Sequence, residues 1–297
     1  MPGSKEKETK PILFQQRDQL FLLDLWDHQF LDVEYLEKHI YKNSSKPYIY
    51  RRCNALQAEG YIQIFRIPVV GTNKGQSKNV YALDKRGANE VKTLLGEEVG
   101  WRYDLVNRTP TTINHQLELG LIRGAFQDDR ELSLEERIPV NENFEMVQYL
   151  NEKNGYHKHE VNATNLVIRP DGVLVLQNKA SGKCAPFFLE LERSYQLKKT
   201  TMEKLERYNE YCKLQLFKEE HRSFNYPVGT PRILFIAKDL KGIDRLIKHS
   251  KGVDVSSTNG VMYTTFEQIT NDPYGKIFYA LGSTDPEKLY SLISKIE

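Results

Sequence analysis

Residues 45–67, which read SKPYIYRRCNALQAEGYIQIFRI, decide the fold of the N-terminal half. Ser45 is an N-cap candidate. Three apolar residues then recur at the spacing of one helical face: Ile49, Cys53 and Leu56. Gly60 ends this predicted helix, because glycine readily adopts the left-handed conformation that closes a helix. After Gly60 the apolar residues alternate, which predicts a strand over residues 61–67.

Two further helices precede this stretch and a second strand follows it. Apolar residues at helical spacing predict a first helix over residues 12–26, and Asp32 is the N-cap of a second. Downstream, the turn-rich residues 71–78 lead into a strand at residues 80–83. Three helices followed by a hairpin are typical of a winged helix-turn-helix, which we assign to residues 11–96. In such a unit the third helix enters the DNA major groove.

The local charge of this half favours DNA as its partner. Net charge over the whole chain is only +2, so DNA binding depends on a local excess of cations. From Lys42 to Arg86 only Glu59 and Asp84 are acidic. Cations contact phosphates, and arginine can also pair with guanine. The predicted DNA-binding residues are Lys46, Tyr48, Tyr50, Arg51, Arg52, Arg66, Lys74 and Lys78. The alternative is a protein-contact unit with solvated cations.

A second domain is predicted after a linker. Residues 97–110 mix charged residues with Gly100, Trp101 and Pro110, which is typical of a linker. Residues 111–297 then alternate helical and strand patterns, so we expect an α/β domain with a mixed central sheet and an α+β class for the whole chain. The predicted strands are at 166–168, 173–176, 186–193, 232–237 and 261–266, and the helices begin at 111, 198 and 242.

Three carboxylates carry the candidate chemistry of this domain. Asp171 follows Pro170 at a turn between two strands, and Glu190 and Glu192 lie on the next strand. Residues two apart on a strand point to the same side, so Asp171 would lie at the end of the face that Glu190 and Glu192 share. Carboxylate oxygens suit Mg²⁺ or Mn²⁺, which makes Asp171 and Glu190 candidate metal ligands. The alternative is a structural ion pair between Glu190 and Arg193 or Lys204.

These residues resemble the PD-(D/E)xK nuclease core. In that core a Pro-Asp pair and a strand bearing Glu-x-Lys hold metal ligands and a lysine. Pro170-Asp171 matches the first part, whereas Glu190-Leu191-Glu192 has Glu192 at the lysine position. The resemblance implies that Asp171, Glu190 and Glu192 are catalytic candidates, and Lys204 is a hypothetical replacement for the missing lysine. His115 is a further catalytic candidate.

The order of these features resembles the replication-relaxation family of plasmids and other mobile elements of Gram-positive bacteria. A winged helix, the Pro-Asp-Gly turn and the strand at residues 187–194 carry the resemblance, together with a helix bearing Lys204 and Tyr208. The family's strand reads roughly Glu-x-Asp-Arg-Gly-Thr, and residues 190–194 here read ELERS. The resemblance implies a role in plasmid DNA replication or relaxation. Its implied partners are double-stranded DNA and other plasmid replication or transfer proteins, and a homodimer is a further hypothesis.

Three functions stay open at this point. The first is a DNA-binding protein of a plasmid or mobile element with a degenerate nuclease-like domain, since Glu192 replaces the lysine. The second is an active Mg²⁺-dependent endonuclease that uses Asp171, Glu190 and Lys204. The third is a transcription regulator whose second domain binds a ligand or dimerises. His157 and His159 are interpreted as residues of a solvated loop.

Composition excludes several other classes. The 3 cysteines show no CxxC spacing, which argues against a disulfide framework and a zinc ribbon. No apolar run reaches the length of about 20 residues that a transmembrane helix needs, and residues 1–10 have no apolar core of a signal peptide. The sequence therefore predicts a cytoplasmic protein without membrane contact.

Overall fold

A computed structural model describes residues 12–68, 77–101, 107–127, 140–152, 154–161, 164–193, 197–218, 224–285 and 287–292. The chain divides into two units, Met1–Gly120 and Leu121–Glu297. This division falls within a helix, and the predicted linker at residues 97–110 stays a prediction. Within the described ranges, no helix is both long and apolar enough to cross a membrane.

The first unit combines helices with a three-stranded antiparallel sheet. Its helices are α1 (Gln16–His28), α2 (Val33–Tyr35, continued by a π-helix at Leu36–Ile40), α3 (Lys46–Ala58), α4 (Lys85–Leu95) and the first part of α5 (Pro110–Phe126). Its strands are β1 (Leu31–Asp32), β2 (Ile62–Pro68) and β3 (Ser77–Leu83), in the order β1-β3-β2. The three helices and two strands expected from the sequence are present, and β1 is an additional strand paired with β3.

Local sequence explains how these elements begin and end. The side chain of Asp32 accepts a hydrogen bond from the Tyr35 backbone at 3.2 Å, so Asp32 is the N-cap of α2. Gly60 has a φ of 73°, the left-handed conformation that lets the chain turn from α3 into β2. The first helix begins at Gln16, and Leu13 lies before it with 83% of the residue exposed. The predicted start of this helix at residue 12 was therefore wrong.

A buried ion pair joins α1 to α3. Asp18 is fully buried and accepts two hydrogen bonds from Arg52, one of them from Nε at 2.9 Å. The Tyr41 hydroxyl and the Gln15 backbone nitrogen donate to the same carboxylate at 2.9 and 2.6 Å. Arg52 also donates to the Leu13 carbonyl at 2.7 Å. Because a buried carboxylate is costly without a partner, this network holds Arg52 against α1.

Arg52→Ala is expected to destabilise the first unit by about 3 kcal/mol, since it leaves Asp18 buried without its cation. Urea unfolding followed by circular dichroism would measure the change. Arg51→Ala is the matched control, because Arg51 is an exposed neighbour whose removal should alter stability by less than about 0.5 kcal/mol. Equal losses in the two variants would contradict a structural role for Arg52.

The second unit contains the predicted mixed sheet. Its six strands are β4 (Phe144–Asn151), β7 (Gly172–Asn178), β8 (Cys184–Glu192), β9 (Arg232–Ala237), β10 (Val261–Thr265) and β11 (Tyr279–Ala280), in the order β11-β10-β9-β8-β7-β4. The pairs β8–β9 and β9–β10 are parallel and the other pairs are antiparallel. A separate antiparallel pair consists of β5 (His157–Val161) and β6 (Thr164–Ile168).

Two long helices pack beside the central strands. They are α6 (Lys198–Lys213) and α7 (Leu240–Ser250), and a shorter α8 (Phe266–Asn271) follows β10. α6 contacts α7 and β6, whereas α7 contacts β9 and β10. β9 is buried at every position, as a central strand covered on both faces should be. Apolar residues of both long helices and of the central strands form the core, including Val173, Phe188, Leu205, Tyr211, Phe235, Leu246 and Tyr263.

The polar stretch before residue 164 contains strands that its sequence does not reveal. His157 and His159 lie on β5, and the interpretation of both as parts of a solvated loop was wrong. Only 2% of His157 is exposed, and its ring stacks on Phe188 and Phe224. The aromatic residues that cover His157 on β5 come from distant parts of the chain. For this reason the local polarity of β5 does not indicate a strand.

Candidate functional site

Strand β8 and the turn before β7 bring the three predicted carboxylates to one place. Glu190 and Glu192 are both buried, with 1% and 4% of each residue exposed. Asp171 is tied to the same strand through its backbone nitrogen, which donates to the Leu189 carbonyl at 3.0 Å. Its side chain accepts a hydrogen bond from the Leu191 backbone at 2.7 Å. Asp171 is thus anchored to the backbone of the residue between Glu190 and Glu192.

Helix α6 places two donors on the Glu190 carboxylate. Lys204 Nζ lies 2.5 Å from Glu190 Oε2, and the Tyr208 hydroxyl donates to Oε1. Lys204 and Tyr208 are four residues apart, so they project from the same face of the helix. Both oxygens of Glu190 are therefore hydrogen-bonded within the protein, and the ion pair with Lys204 is one of the two alternatives that the sequence left open.

Glu192 differs from Glu190 in its partners. Its Oε1 lies 3.6 Å from Lys204 Nζ, close enough for an ion pair but beyond hydrogen-bond distance. Neither of its buried oxygens has a hydrogen-bond partner in the described part of the chain. Lys204 thus lies beside both glutamates, in the region where the resemblance to the nuclease core implied a lysine. The catalytic roles predicted for these residues stay predictions.

The electrostatics of the cluster follow from its burial. Burial raises the pKa of Glu190 to about 7, with a smaller rise from Asp171, while Lys204 and Tyr208 lower it. Burial also raises the pKa of Glu192 above its ordinary value. By itself burial would lower the pKa of Lys204, but the neighbouring carboxylates, led by Glu190, hold it above its ordinary value. Lys204 is therefore a permanent cation at neutral pH.

The cluster opens into a cleft of about 240 Å³ between β6 and α6. Val167 and Ile168 form its apolar wall, and Glu190, Lys204 and Tyr208 form a polar one. Two arginines complete the lining: Arg169 and Arg207. Three of the polar lining residues are cations, so this cleft suits an anion better than a neutral molecule.

The described residues do not present a ready metal centre. Within those ranges, no group of three or more histidine, cysteine, aspartate or glutamate side chains is arranged to hold a metal ion. Lys204 and Tyr208 already occupy both oxygens of Glu190. A metal on Glu190 and Asp171 would require the Lys204 ammonium to leave, so the arrangement of these side chains does not fit Mg²⁺ or Mn²⁺.

The predicted DNA-binding residues differ in how far they are free to meet a ligand. Arg51 and Tyr50 are exposed on α3. Lys46 is exposed and lies 3.4 Å from Glu37, and such exposed pairs contribute little to stability. Arg52, in contrast, is held by Asp18.

Three further members of the predicted set lie on α3 and on the paired strands β2 and β3. Tyr48 is half-buried on α3, and its hydroxyl donates to Gln15 at 3.4 Å. Arg66 is exposed on β2 and donates to Asn79 at 3.3 Å. Lys78 on β3 pairs with Asp32 at 2.9 Å. Lys74 lies outside the described residues.

Two residues missed at the sequence level and one further candidate complete this description. Asn54 and Gln57 are exposed on α3, and with Tyr50 and Arg51 they form one helical face. Asn54 and Gln57 are neither charged nor aromatic, and the signal in the sequence that could have found them is their helical spacing from Tyr50 and Arg51. His115 is partly exposed on α5 within the unit Met1–Gly120, and its catalytic role stays a prediction.

The chain is thus an α+β protein with a basic helix in one unit and a buried carboxylate–lysine cluster in the other. Its sequence matches the replication-relaxation family model over residues 22–226. Since the match covers more than half of the 297 residues, the chain belongs to the replication-relaxation family, and the resemblance predicted from its sequence is confirmed. No curated protein that was compared matches the chain.

Two solved structures are similar to the chain at a low level. The restriction endonuclease FokI has 14% sequence identity and a TM-score of 0.32, with 90% of this chain and 45% of FokI covered. FokI bound to DNA has 12% identity and a TM-score of 0.29, with 89% and 45% covered. The chain spans less than half the length of FokI, and TM-scores this low do not establish a shared fold.

The Glu190 pKa predicts a pH-dependent stability. The folded value of about 7 exceeds the ordinary value of 4.5, so the folded state binds this proton more tightly than the unfolded state. Stability from this group is therefore lost as the pH rises from about 4.5 to about 7. Relative to the natural protein, Glu190→Gln should gain about 3 kcal/mol between pH 4 and pH 8, because glutamine does not ionise.

Urea unfolding of the second unit at several pH values would measure this difference. Glu203→Gln is the matched control, since Glu203 is an exposed glutamate on α6 and its variant should differ from the natural protein by a constant amount. A constant difference for Glu190→Gln as well would show that the pKa of Glu190 is the same in the folded and the unfolded state.

Proposed function

We propose that this chain is a DNA-binding protein of a plasmid or mobile element that acts in DNA replication or relaxation. Its membership of the replication-relaxation family supports this role. We assign the first unit as a winged helix-turn-helix in which α3 enters the major groove and the β2–β3 hairpin is the wing. The observation that carries the proposal is the composition of the exposed face of α3.

That face suits a groove of duplex DNA. α3 contains Lys46, Arg51 and Arg52 and no acidic residue. Its apolar side is buried in the unit, so the opposite side is left for a ligand. Arg51 can pair bidentately with guanine and Asn54 with adenine, and these are the side chains that most often read bases in the major groove. We therefore propose Arg51 and Asn54 as base-reading residues and Lys46 as a phosphate contact.

We propose that the second unit has kept a nuclease-like sheet without efficient cutting. In nucleases of the kind that the sequence resembles, carboxylates hold metal ions. Here Lys204 and Tyr208 hold the Glu190 carboxylate, and Glu192 takes the place of the motif lysine. This arrangement supports a structural or DNA-contacting role for the unit.

Arg51→Ala is expected to weaken duplex DNA binding roughly tenfold, and Lys46→Ala is expected to reduce the slope of log affinity against log salt by about 1. Fluorescence anisotropy with a labelled plasmid fragment at several salt concentrations would measure both quantities. Arg66→Ala tests the hairpin, and Lys92→Ala, an exposed cation on α4, is the control. Unchanged affinity in Arg51→Ala together with an unchanged slope in Lys46→Ala would overturn the assignment of α3 as the groove-binding helix.

A second candidate function is a Mg²⁺-dependent endonuclease. The position of Lys204 favours it, because the ammonium lies beside Glu190 and Glu192, with Asp171 anchored to the same strand. A lysine at such a position could orient a water molecule or stabilise the developing charge on a phosphate. If Lys204 leaves Glu190 when DNA binds, one oxygen of Glu190 becomes available for a cation.

Supercoiled plasmid incubated with the protein in Mg²⁺, Mn²⁺ or EDTA would separate the two functions. We expect intact plasmid under all conditions, because Glu190 is held by Lys204 and Tyr208. Glu190→Ala and Lys204→Ala serve as controls against a contaminating nuclease. Metal-dependent nicking that is lost in both variants would establish the endonuclease instead.

A further inference from the structure

The cleft beside Glu190 has an outer rim that the proposed function does not use. Arg169 is the residue directly after β6, and Arg207 lies on α6 between Lys204 and Tyr208 in sequence. Both arginine side chains are exposed, whereas Glu190 lies at the buried end of the cleft. The cleft thus has a cationic entrance and a buried carboxylate behind it.

The two rim arginines are available to a ligand. Arg169 pairs with Glu152 at 2.7 Å, but 65% of the Arg169 side chain is exposed, and such a pair stabilises the protein little. Arg207 makes no hydrogen bond or ion pair with any residue that the structure describes. An anion could therefore bind Arg207 without displacing a described partner. On Arg169 it would replace Glu152, and the loss of that exposed ion pair costs little free energy.

The charge and size of the cleft restrict its ligand. An anion is repelled by an ionised Glu190 and is attracted by the arginines, so it stays at the rim. Pockets for drug-sized ligands have volumes of about 300–1,000 Å³, and this cleft has about 240 Å³. It can therefore admit part of one nucleotide, with the sugar against Val167 and Ile168, but it cannot admit duplex DNA.

We propose that this cleft binds one phosphate of a single DNA strand and that Arg169 and Arg207 hold the phosphate. Guanidinium groups bind phosphates through paired, charge-assisted hydrogen bonds. A strand that is separated during replication or relaxation supplies such a phosphate without a second strand that would collide with the walls. This inference rests on the proposed function, because it takes DNA as the partner of the chain.

Binding of a labelled single-stranded oligonucleotide to the full chain would test the proposal by fluorescence anisotropy. Arg207→Ala and Arg169→Ala should each raise Kd roughly tenfold, as expected for loss of a charge-assisted contact. Lys213→Ala is the matched control, since Lys213 is an exposed cation of α6 outside the cleft, and it should change Kd less than about twofold. Replacing one phosphate by methylphosphonate should weaken binding to the natural protein but not to Arg207→Ala.

Two results would overturn the proposal. One is an equal effect of Arg207→Ala and Lys213→Ala, which would indicate a diffuse charge effect. The other is displacement of the oligonucleotide by inorganic phosphate at the concentration of the DNA phosphates, which would assign the cleft to free phosphate. Duplex binding by Arg51→Ala, measured in parallel, separates this proposal from the first one. If Arg207→Ala binds the single strand as the natural protein does and Arg51→Ala binds the duplex weakly, only the cleft proposal fails. If Arg207→Ala binds the single strand weakly and Arg51→Ala binds the duplex as the natural protein does, only the assignment of α3 fails.

Discussion

The buried carboxylate of Glu190 constrains the whole second unit. β8 lies between β7 and β9 in the sheet, and only 1% of Glu190 is exposed to solvent. An ionised carboxylate without partners is costly there. α6 offsets this cost by bringing Lys204 and Tyr208, one helical turn apart, onto the two carboxylate oxygens. The position of α6 and the chemistry of the cleft therefore have the same physical cause.

The contact between Lys204 and Glu190 also separates the two proposed functions. A divalent cation and the Lys204 ammonium would compete for the same oxygen of Glu190, because each neutralises the same charge. Glu192 lies next to them with two buried oxygens that lack hydrogen bonds in the described part of the chain. A shift of Lys204 from Glu190 towards Glu192 would pair Lys204 with Glu192 and leave Tyr208 as a partner of Glu190. The two proposed functions differ in whether Lys204 stays on Glu190.

Strong periodicity made much of the fold predictable. The helical spacing of Ile49, Cys53 and Leu56 and the apolar run of β9 both led to correct elements. Partners distant in sequence were not predictable: the aromatic cover of His157 comes from residues up to 67 positions away. The partly buried position of Arg52 could have been predicted, since Arg52 lies three residues after Ile49 and four before Leu56 and therefore near the buried face of α3. The sequence showed that Lys204 and Tyr208 lie one helical turn apart. It could not show whether Lys204 forms an ion pair or takes part in catalysis.

A cation of this chain can bind DNA phosphate readily only where no carboxylate of the protein already pairs with it. A net charge of +2 conceals cations that the fold has committed, such as Arg52 to Asp18 and Lys78 to Asp32. These two cations are less available to a ligand than the exposed cations of the same unit. Arg51 on α3 and Arg207 at the cleft rim face solvent instead, each on a helix whose buried face is fixed by apolar packing. A phosphate that approaches either arginine meets a cation already in position and displaces no buried partner, and for this reason these two positions carry the binding proposals.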